Sequence, residues 1–487
     1  MSRSFDPASV PLPSGHFIGG RYHPTAGAFM LHRPSDGQPY WNSPIGDAAL
    51  IDEAVAIARK ALQDSGWSRM PPRERKRALQ RWADLIEADA PYLARLEALC
   101  STRLIAEIPT VDIAVTAEQI RFFAELADKE GGEVAPTESG SMGMILDEPY
   151  GVVGAITPWN FPLSMAGWKL GPALAAGNAV ILKPSEMTPF SALRMAELSV
   201  RADIPAGVIN IVLGDGPVTG TALVGHPGIA KVSFTGSTIA GSAIMETIAR
   251  QGIKPMTLEL GGKSPQLVFA DADLTRAAAC VARSILGNAG QACVAGTRLI
   301  VQRQVAEPLM QAILGHMRMI CPGPTWDEAS SFSPLISARQ LARVDDIVAA
   351  ARSAGAECLT GGIALPRPGY FYAPTLLTGV KPDSPAIREE IFGPVLTIEA
   401  FDEEEEALAL ADHPVYGLAA GLFTQDLARA LRVTQHLQAG TVWVNRYGRS
   451  RDHFLPTGGY KRSGIGKDLG RDAYLANRQR KSVLIAF

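Results

Sequence analysis

The chain lacks both the cysteine pattern and the apolar length that would place it outside a reducing, aqueous compartment. Its five cysteines, Cys100, Cys280, Cys293, Cys321 and Cys358, are an odd number, without the regular spacing of a disulfide framework or of zinc ligands. No segment approaches the ~18 uninterrupted apolar residues that span a bilayer. The opening MSRSFDPASVPLPSG has no apolar stretch after its arginine. Neither a signal peptide nor a membrane helix is expected, and a cytoplasmic setting is. An excess of one charge is also missing: 46 Lys and Arg against 49 Asp and Glu leave a net charge of -3. There is thus no basic field to concentrate nucleic acid or anionic lipid. The HExxH zinc helix, the GxSxG elbow, the GxxxxGKS/T phosphate loop and the GxGxxG fingerprint are all absent, GDGPVTG being a near miss. The eight histidines are scattered, and no metal centre is expected.

What is present is a long, ordinary globular composition. At 487 residues the chain holds roughly three structural units at ~150 residues each. With 47% hydrophobic and 20% charged residues it has ample apolar area for large cores. Leu50, Ala54, Ala58 and Ala61 recur at helical spacing from Asp47 to Gln63, with Asp47 placed to cap the first turn. A second helix starts near Pro72 and puts Leu79, Trp82, Ala83 and Ile86 on one stripe. From Gly151 the pattern changes to short Val- and Ile-rich runs, GVVGAITPWN, NAVILKPSE, GVINIVLG and KVSFTGS, each followed by a turn and a helical stretch. That alternation predicts an α/β fold with a doubly wound parallel sheet. Ligands then belong beyond the carboxyl ends of the strands, where Trp159, Lys183, Gly214 and Gly236 fall.

A second α/β region is expected from about Gly262 to Tyr460. The stretch GGEVAPTESGSMGMILDEPY reads as extended or irregular chain, and the tail RKSVLIAF as an apolar strand that invites pairing with another subunit. The acidic run from Asp402 to Glu406 reads as a solvated helix start.

Three residues carry chemistry. Cys293, in GNAGQACVAGTR, lies among small residues that leave room around a sulfur, although a single cysteine is more often a small buried apolar group. Glu259 ends an apolar run just before two glycines, where it is either a base in a dry place or a strand-end charge paired with a lysine. Asn160, in TPWNFP, is either an amide donor for an oxyanion or a turn former. Together they offer a thiolate, a water-activating carboxylate and a donor, the set required to form and hydrolyse a thioester.

At this point PWNFP at 158–162, KPSE at 183–186, FTGS at 234–237, LELGGKSP at 258–265, GQAC at 290–293 and EIFGPV at 390–395 stand in one order. GTVWVN and GGYKRSG follow them, and the chain resembles the NAD(P)-dependent aldehyde dehydrogenase superfamily. The resemblance implies an NAD-binding domain from residues 1–126 and 149–261, a catalytic domain from 262–461, and a small β oligomerisation element from 127–148 and 470–487. It implies that Cys293 attacks the aldehyde, that Asn160 and the Cys293 N–H hold the oxyanion, and that Glu259 activates the hydrolytic water. Lys169 then lies on a proton path, with Asp468 in place of the family's longer acidic companion. Trp159, Lys183, Glu186, Gly236, Ser237, Glu390 and Phe392 line the cofactor cleft. A carboxylate at Glu186 favours NAD over NADP, because it accepts from ribose hydroxyls and repels a 2′-phosphate.

The same resemblance makes the assembly a homodimer or homotetramer acting on a small aldehyde, without nucleic acid or membrane. It puts Phe161, Met165 and Trp168 at the substrate wall, plain core packing being the alternative for each, with Thr457 where relatives carry Phe or Trp, and Arg446, Arg449 and Arg451 at the mouth. Those arginines either favour a neutral aldehyde or one carrying a carboxylate, or are simply solvated or paired across the subunit interface. Two other readings stay open: release of the acyl group to coenzyme A, and a binding protein of the same fold without turnover.

Overall fold

The computed structural model describes residues 3–449 and 451–487. Both expected early helices are present. The first, Ala48–Ser65, is capped by Asp47, whose carboxylate accepts the Leu50 N–H at 2.9 Å, and it ends at Gly66 in the left-handed region. Ile51 and Val55 complete its buried stripe with Ala54, Ala58 and Ala61, while Leu50 is only half-buried at the rim. The second, Pro72–Ala88, buries Leu79, Trp82, Ala83 and Ile86 together with Arg75 and Ala78. Its Trp82 indole donates to the Met195 carbonyl at 2.8 Å, which ties the helix to its neighbour inside the core.

The first sheet has eight strands, of which five are parallel and neighbouring: Ile209–Ile211, Ala179–Lys183, Val152–Ile156, Lys231–Thr235 and Met256–Glu259. The three other strands are antiparallel additions. His16–Ile18 and Arg21–His23 extend one edge and Gly464–Ile465 the other, so the sheet is mixed where the sequence pattern predicts a parallel one. Strands buried on both faces read as unbroken apolar runs, whereas the added edge strands are two or three residues long and carry no such pattern. The strand order reverses between Val152–Ile156 and Lys231–Thr235. The sheet register sets Ile156 beside Lys183 and Phe234, and Thr235 beside Glu259. The segments holding Asn160, Lys183, Gly236 and Glu259 therefore leave the sheet at one edge, at the switch point.

The second sheet runs in the order Glu357–Thr360, Thr375–Thr378, Val395–Phe401, Arg298–Gln302, Pro265–Val268, Ala419–Phe423 and Thr441–Val444. Only its first strand is antiparallel. Chain leaving the carboxyl end of Met256–Glu259 enters the amino end of Pro265–Val268, so the carboxyl edge of one sheet connects directly to the amino edge of the other. Cys293 precedes Arg298–Gln302, and Glu390 with Phe392 precedes Val395–Phe401, which brings them to the same cleft.

The extended stretch and the tail form a three-stranded antiparallel sheet from Glu133–Ala135, Ser141–Pro149 and Arg478–Ala486. Of the terminal residues, Gly470–Leu475 is instead a helix whose Ala473 and Tyr474 join the main core. The acidic run does open a helix, Glu404–Ala411. A hairpin of Phe29–His32 and Pro39–Ser43 has no counterpart in the sequence reading. Among the described residues, no helix is long and apolar enough to cross a membrane.

Candidate active site

The loop before Cys293 is folded unusually. Asn288, Ala289 and Gly290 follow one another with φ of 50, 50 and 72°, a conformation that costs a non-glycine residue about 1–2 kcal/mol. Gly290 is required twice over, because a Cβ there would also meet the Gly393 carbonyl at 2.2 Å. Side-chain amides hold the turn. Asn288 Nδ2 donates to the carbonyls of Asn160 at 3.0 Å and Gln291 at 3.2 Å, and Asn288 Oδ1 accepts from the buried Thr102 hydroxyl at 2.6 Å. Gln291 Nε2 donates to the carbonyls of Asn288 and Pro334, and its Oε1 accepts the Ile336 N–H.

Asn160 completes the link, since its Nδ2 donates to the Gln291 carbonyl at 3.0 Å. The residue is 5% exposed and spends its amide on a segment far along the chain, which removes the turn-former reading. One of its two amide hydrogens is left for a ligand. Below it, Glu97 is fully buried and its Oε1 accepts the Leu163 N–H at 3.1 Å, at the start of the helix Pro162–Ala175. Arg103 is fixed to the buried Asp112 at 3.0 Å and covers the Phe161 ring at 4.7 Å. Phe161, itself partly exposed, packs against the core from beside Asn160.

Glu259 is 6% exposed, and its Oε1 is buried with no hydrogen-bond partner. The expected alternative, a strand-end ion pair, is not formed: Lys169 Nζ binds Asp468 Oδ2 instead, at 2.5 Å, with both side chains buried. Burial raises the Glu259 carboxyl to about 8, helped by repulsion from Asp468 and opposed by Lys169. Asp468 is itself pinned by two backbone hydrogen bonds to Thr457, at 2.6 and 2.8 Å. Thr457 is buried and serves as that support. Gly262, just beyond Glu259, lets the second sheet approach, because a Cβ there would meet the Cys293 carbonyl at 2.5 Å.

Cys293 is partly exposed, whereas Cys100 and Cys280 are buried. Desolvation pushes its thiol up to about 12, and the positive charge of Arg449 pulls the other way. Burial thus favours the protonated sulfur, and attack calls for a proton acceptor nearby.

The cofactor candidates line the same cleft. Trp159 meets the Phe392 ring edge-on at 5.2 Å. Phe392 has φ 56°, held by Gln340 Nε2 donating to the carbonyls of Ile391 and Phe392. Glu390 Oε1 accepts the Gly262 N–H at 3.1 Å, and burial raises that carboxyl to about 7. Ser237 caps the helix Thr238–Gln251, and Gly236 is free of a side chain that would strike the Phe234 ring at 2.4 Å. Lys183 turns inward: its Nζ donates to the carbonyls of Pro184 and Gly214 at 2.9 Å each and stands 3.8 Å from Glu186, which remains partly exposed. A helix N-terminus at the switch point suits a pyrophosphate, an exposed carboxylate suits ribose hydroxyls, and the Trp159–Phe392 corner offers apolar walls, so these residues fit a dinucleotide.

Several positions escaped sequence reasoning. Thr102 and Glu97 act across long chain separations and have no local pattern, and the roles of Asn288 and Gln291 depend on partners such as Thr102, Asn160 and Pro334 far along the chain. Lys231 had a signal, a lysine opening the otherwise uncharged strand KVSFT. It is fully buried, donates to Thr257 Oγ1 at 2.7 Å, and is lowered to about 8 by burial.

Comparison with known proteins agrees with this geometry. Residues 23–483 match the family model of the aldehyde dehydrogenase family. A Bacillus subtilis (strain 168) protein named "Putative aldehyde dehydrogenase DhaS" is 39% identical over 471 residues, covering 96% of this chain and 95% of its own. A solved indole-3-acetaldehyde dehydrogenase in complex with NAD+ superposes with a TM-score of 0.95 at 40% identity, over 99% of this chain and 98% of that one. The gamma-glutamyl-gamma-aminobutyraldehyde dehydrogenase of Burkholderia cenocepacia J2315 gives 0.96 at 41% identity, with the same coverage. Fold, cleft and sequence converge, and the chain belongs to the aldehyde dehydrogenase family.

Proposed function

We propose that this enzyme, whose family oxidises an aldehyde to the carboxylic acid, does so through a thioester on Cys293, with NAD as the preferred acceptor. The observation that carries the proposal is the joining of Asn160 from one sheet to the Cys293 loop of the other through Asn288, beside the unpaired, buried carboxyl of Glu259.

In this reading the Cys293 sulfur adds to the aldehyde carbon, and its proton passes to Glu259 in the carboxylate form. The carbonyl oxygen, now an oxyanion, takes hydrogen bonds from Asn160 Nδ2 and the Cys293 N–H. Trp159, Glu186, Gly236, Ser237, Glu390 and Phe392 would hold NAD, whose nicotinamide would supply the acceptor for the hydride of this carbon. Once Glu259 has passed its first proton on, its carboxylate takes a proton from water as the water adds to the thioester carbon. The carbon–sulfur bond breaks, the thiolate is recovered, and the acid departs. The Lys169–Asp468 pair lies against Glu259 and gives its proton a route away from the cleft. Transfer to coenzyme A needs no such base, so Glu259 favours hydrolysis.

The remaining parts of the reading follow the same lines. The first sheet with its helices is the cofactor domain, residues 262–461 the catalytic domain, and the three-stranded sheet a subunit contact. Arg478–Ala486 is an edge strand carrying Leu484, which is 71% exposed, and an open apolar edge pairs with another copy. Glu186 directs the choice toward NAD, and an intracellular, cytoplasmic setting fits the free thiol.

The test is NADH absorbance with NAD or NADP across aliphatic, aromatic, cationic and carboxylate-bearing aldehydes, beside Cys293→Ala. NADH that forms only with intact Cys293 and prefers NAD supports the reading. Turnover that survives Cys293→Ala, or that depends on added coenzyme A, overturns it.

A further inference from the structure

The stretch NRYGRSRDHF carries three arginines, and the structure separates their roles. Arg446 is exposed and donates to the Gly448 carbonyl at 3.2 Å, while Arg451 is exposed and paired with Glu118 at 2.6 Å. Neither is oriented by the cleft. Arg449 is partly buried, with its guanidinium carbon 5.2 Å from the centroid of the Trp168 ring. Trp168 projects from the helix that follows Asn160, and it is buried. The neighbouring Tyr447 donates to the Val294 carbonyl at 2.8 Å, which fastens this stretch to the nucleophile's own loop. The carboxylates of Glu259, Asp452 and Asp468 act on Arg449 through space, but among the described residues no ion pair within 4.0 Å is formed by its guanidinium. Its charge nevertheless acts on both Cys293 and Glu259.

We propose that Arg449 anchors a carboxylate at the far end of the substrate, so that the preferred aldehydes are short ω-oxo acids. The inference rests on the aldehyde-oxidising reading of the cleft. A cation partly withdrawn from water and not held in a direct ion pair gains from an anionic ligand, and a guanidinium does so with a two-pronged hydrogen bond that a lysine cannot copy. The Trp168 face holds the fork in one plane. A cationic aldehyde meets repulsion at the same point.

The experiment compares kcat/KM for succinate semialdehyde with butanal, and for glutarate semialdehyde with pentanal, in the wild type, Arg449→Met and Arg449→Lys. The wild type should favour the carboxylate member by about tenfold or more, a ratio that corresponds to about 1.4 kcal/mol. Arg449→Met should bring that ratio toward unity, chiefly through KM, and Arg449→Lys should keep part of it. A wild-type ratio near one, or a ratio that Arg449→Met leaves unchanged, overturns the anchor while leaving aldehyde oxidation intact. A second measurement needs no turnover: glutarate should slow iodoacetamide labelling of Cys293, followed by mass spectrometry, in the wild type and not in Arg449→Met. Absence of protection in the wild type also overturns the anchor. If glutarate protects but no aldehyde is oxidised, the anion site stands and the catalytic reading falls.

Discussion

Replacing Thr102 by Val tests whether the join between the two sheets is what positions the chemistry. The side chain is fully buried, and valine keeps its shape while deleting the hydroxyl that donates to Asn288 Oδ1 at 2.6 Å. The acceptor is left in a dry place without a donor, which costs about 1–3 kcal/mol. Asn288 is also the residue whose amide grips the carbonyls of Asn160 and Gln291, and its left-handed backbone is already strained. Once its amide can turn, both the oxyanion donor and the nucleophile loop lose their reference point. A displacement of about 1 Å near reacting atoms lowers the rate about 100-fold. The expected result is therefore a kcat lower by about 10–100-fold, with the KM for NAD little changed, because Glu186, Ser237 and Phe392 do not touch this network. Stopped-flow and steady-state NADH absorbance measure the rates, and urea midpoints measure the stability loss. Thr102→Ser, which restores the hydroxyl, should recover most of both. If Thr102→Val keeps wild-type kcat and midpoint, or if Thr102→Ser fails as badly, the network does not position the site.

Other expectations bear on separate parts of the cleft. Glu259→Gln should lower kcat by about 10²–10⁴-fold and suppress the first burst of NADH as well, because Glu259 accepts the Cys293 proton; an undiminished burst would confine Glu259 to the hydrolytic step. Burial raises the Glu259 carboxyl to about 8, and the proposed base role requires the deprotonated form, so kcat should rise as the pH climbs through that value. Asp468→Asn removes a repelling charge and should move the rise to lower pH; a rise moved upward contradicts the stated cause. Glu186→Ser should shift the ratio of kcat/KM from NAD toward NADP, and an unaltered ratio means that the carboxylate does not face the ribose. Leu484→Asp, on the open strand edge, should reduce the assembly size in sedimentation velocity, and an unchanged mass places the subunit contact elsewhere.

The sequence by itself determined the parallel core and the chemical inventory. Strands such as Val152–Ile156 and Ala179–Lys183 are buried on both faces, so their apolar runs were visible without any partner. Asp47 and Pro72 mark helix starts through local hydrogen bonding and a missing N–H, which are properties of a few consecutive residues. Cys293, Glu259 and Asn160 were legible because each interrupts small or apolar surroundings with a reactive group. The short edge strands were not, since Gly464–Ile465 is extended only because Met256–Glu259 offers it a free edge. The arginines of NRYGRSRDHF looked alike in sequence, and only packing against Trp168 and pairing with Glu118 distinguished Arg449 from Arg451.

Tertiary structure also decided the charge state and aim of the groups proposed for catalysis. Glu259 has a raised pKa because folding strips it of water and sets Asp468 nearby, across a separation in sequence that no local pattern records. Asn288 is a loop residue in the sequence and the clasp between two sheets in the fold, because hydrogen bonds and desolvation depend on distance in space, whereas periodicity and capping depend on distance along the chain.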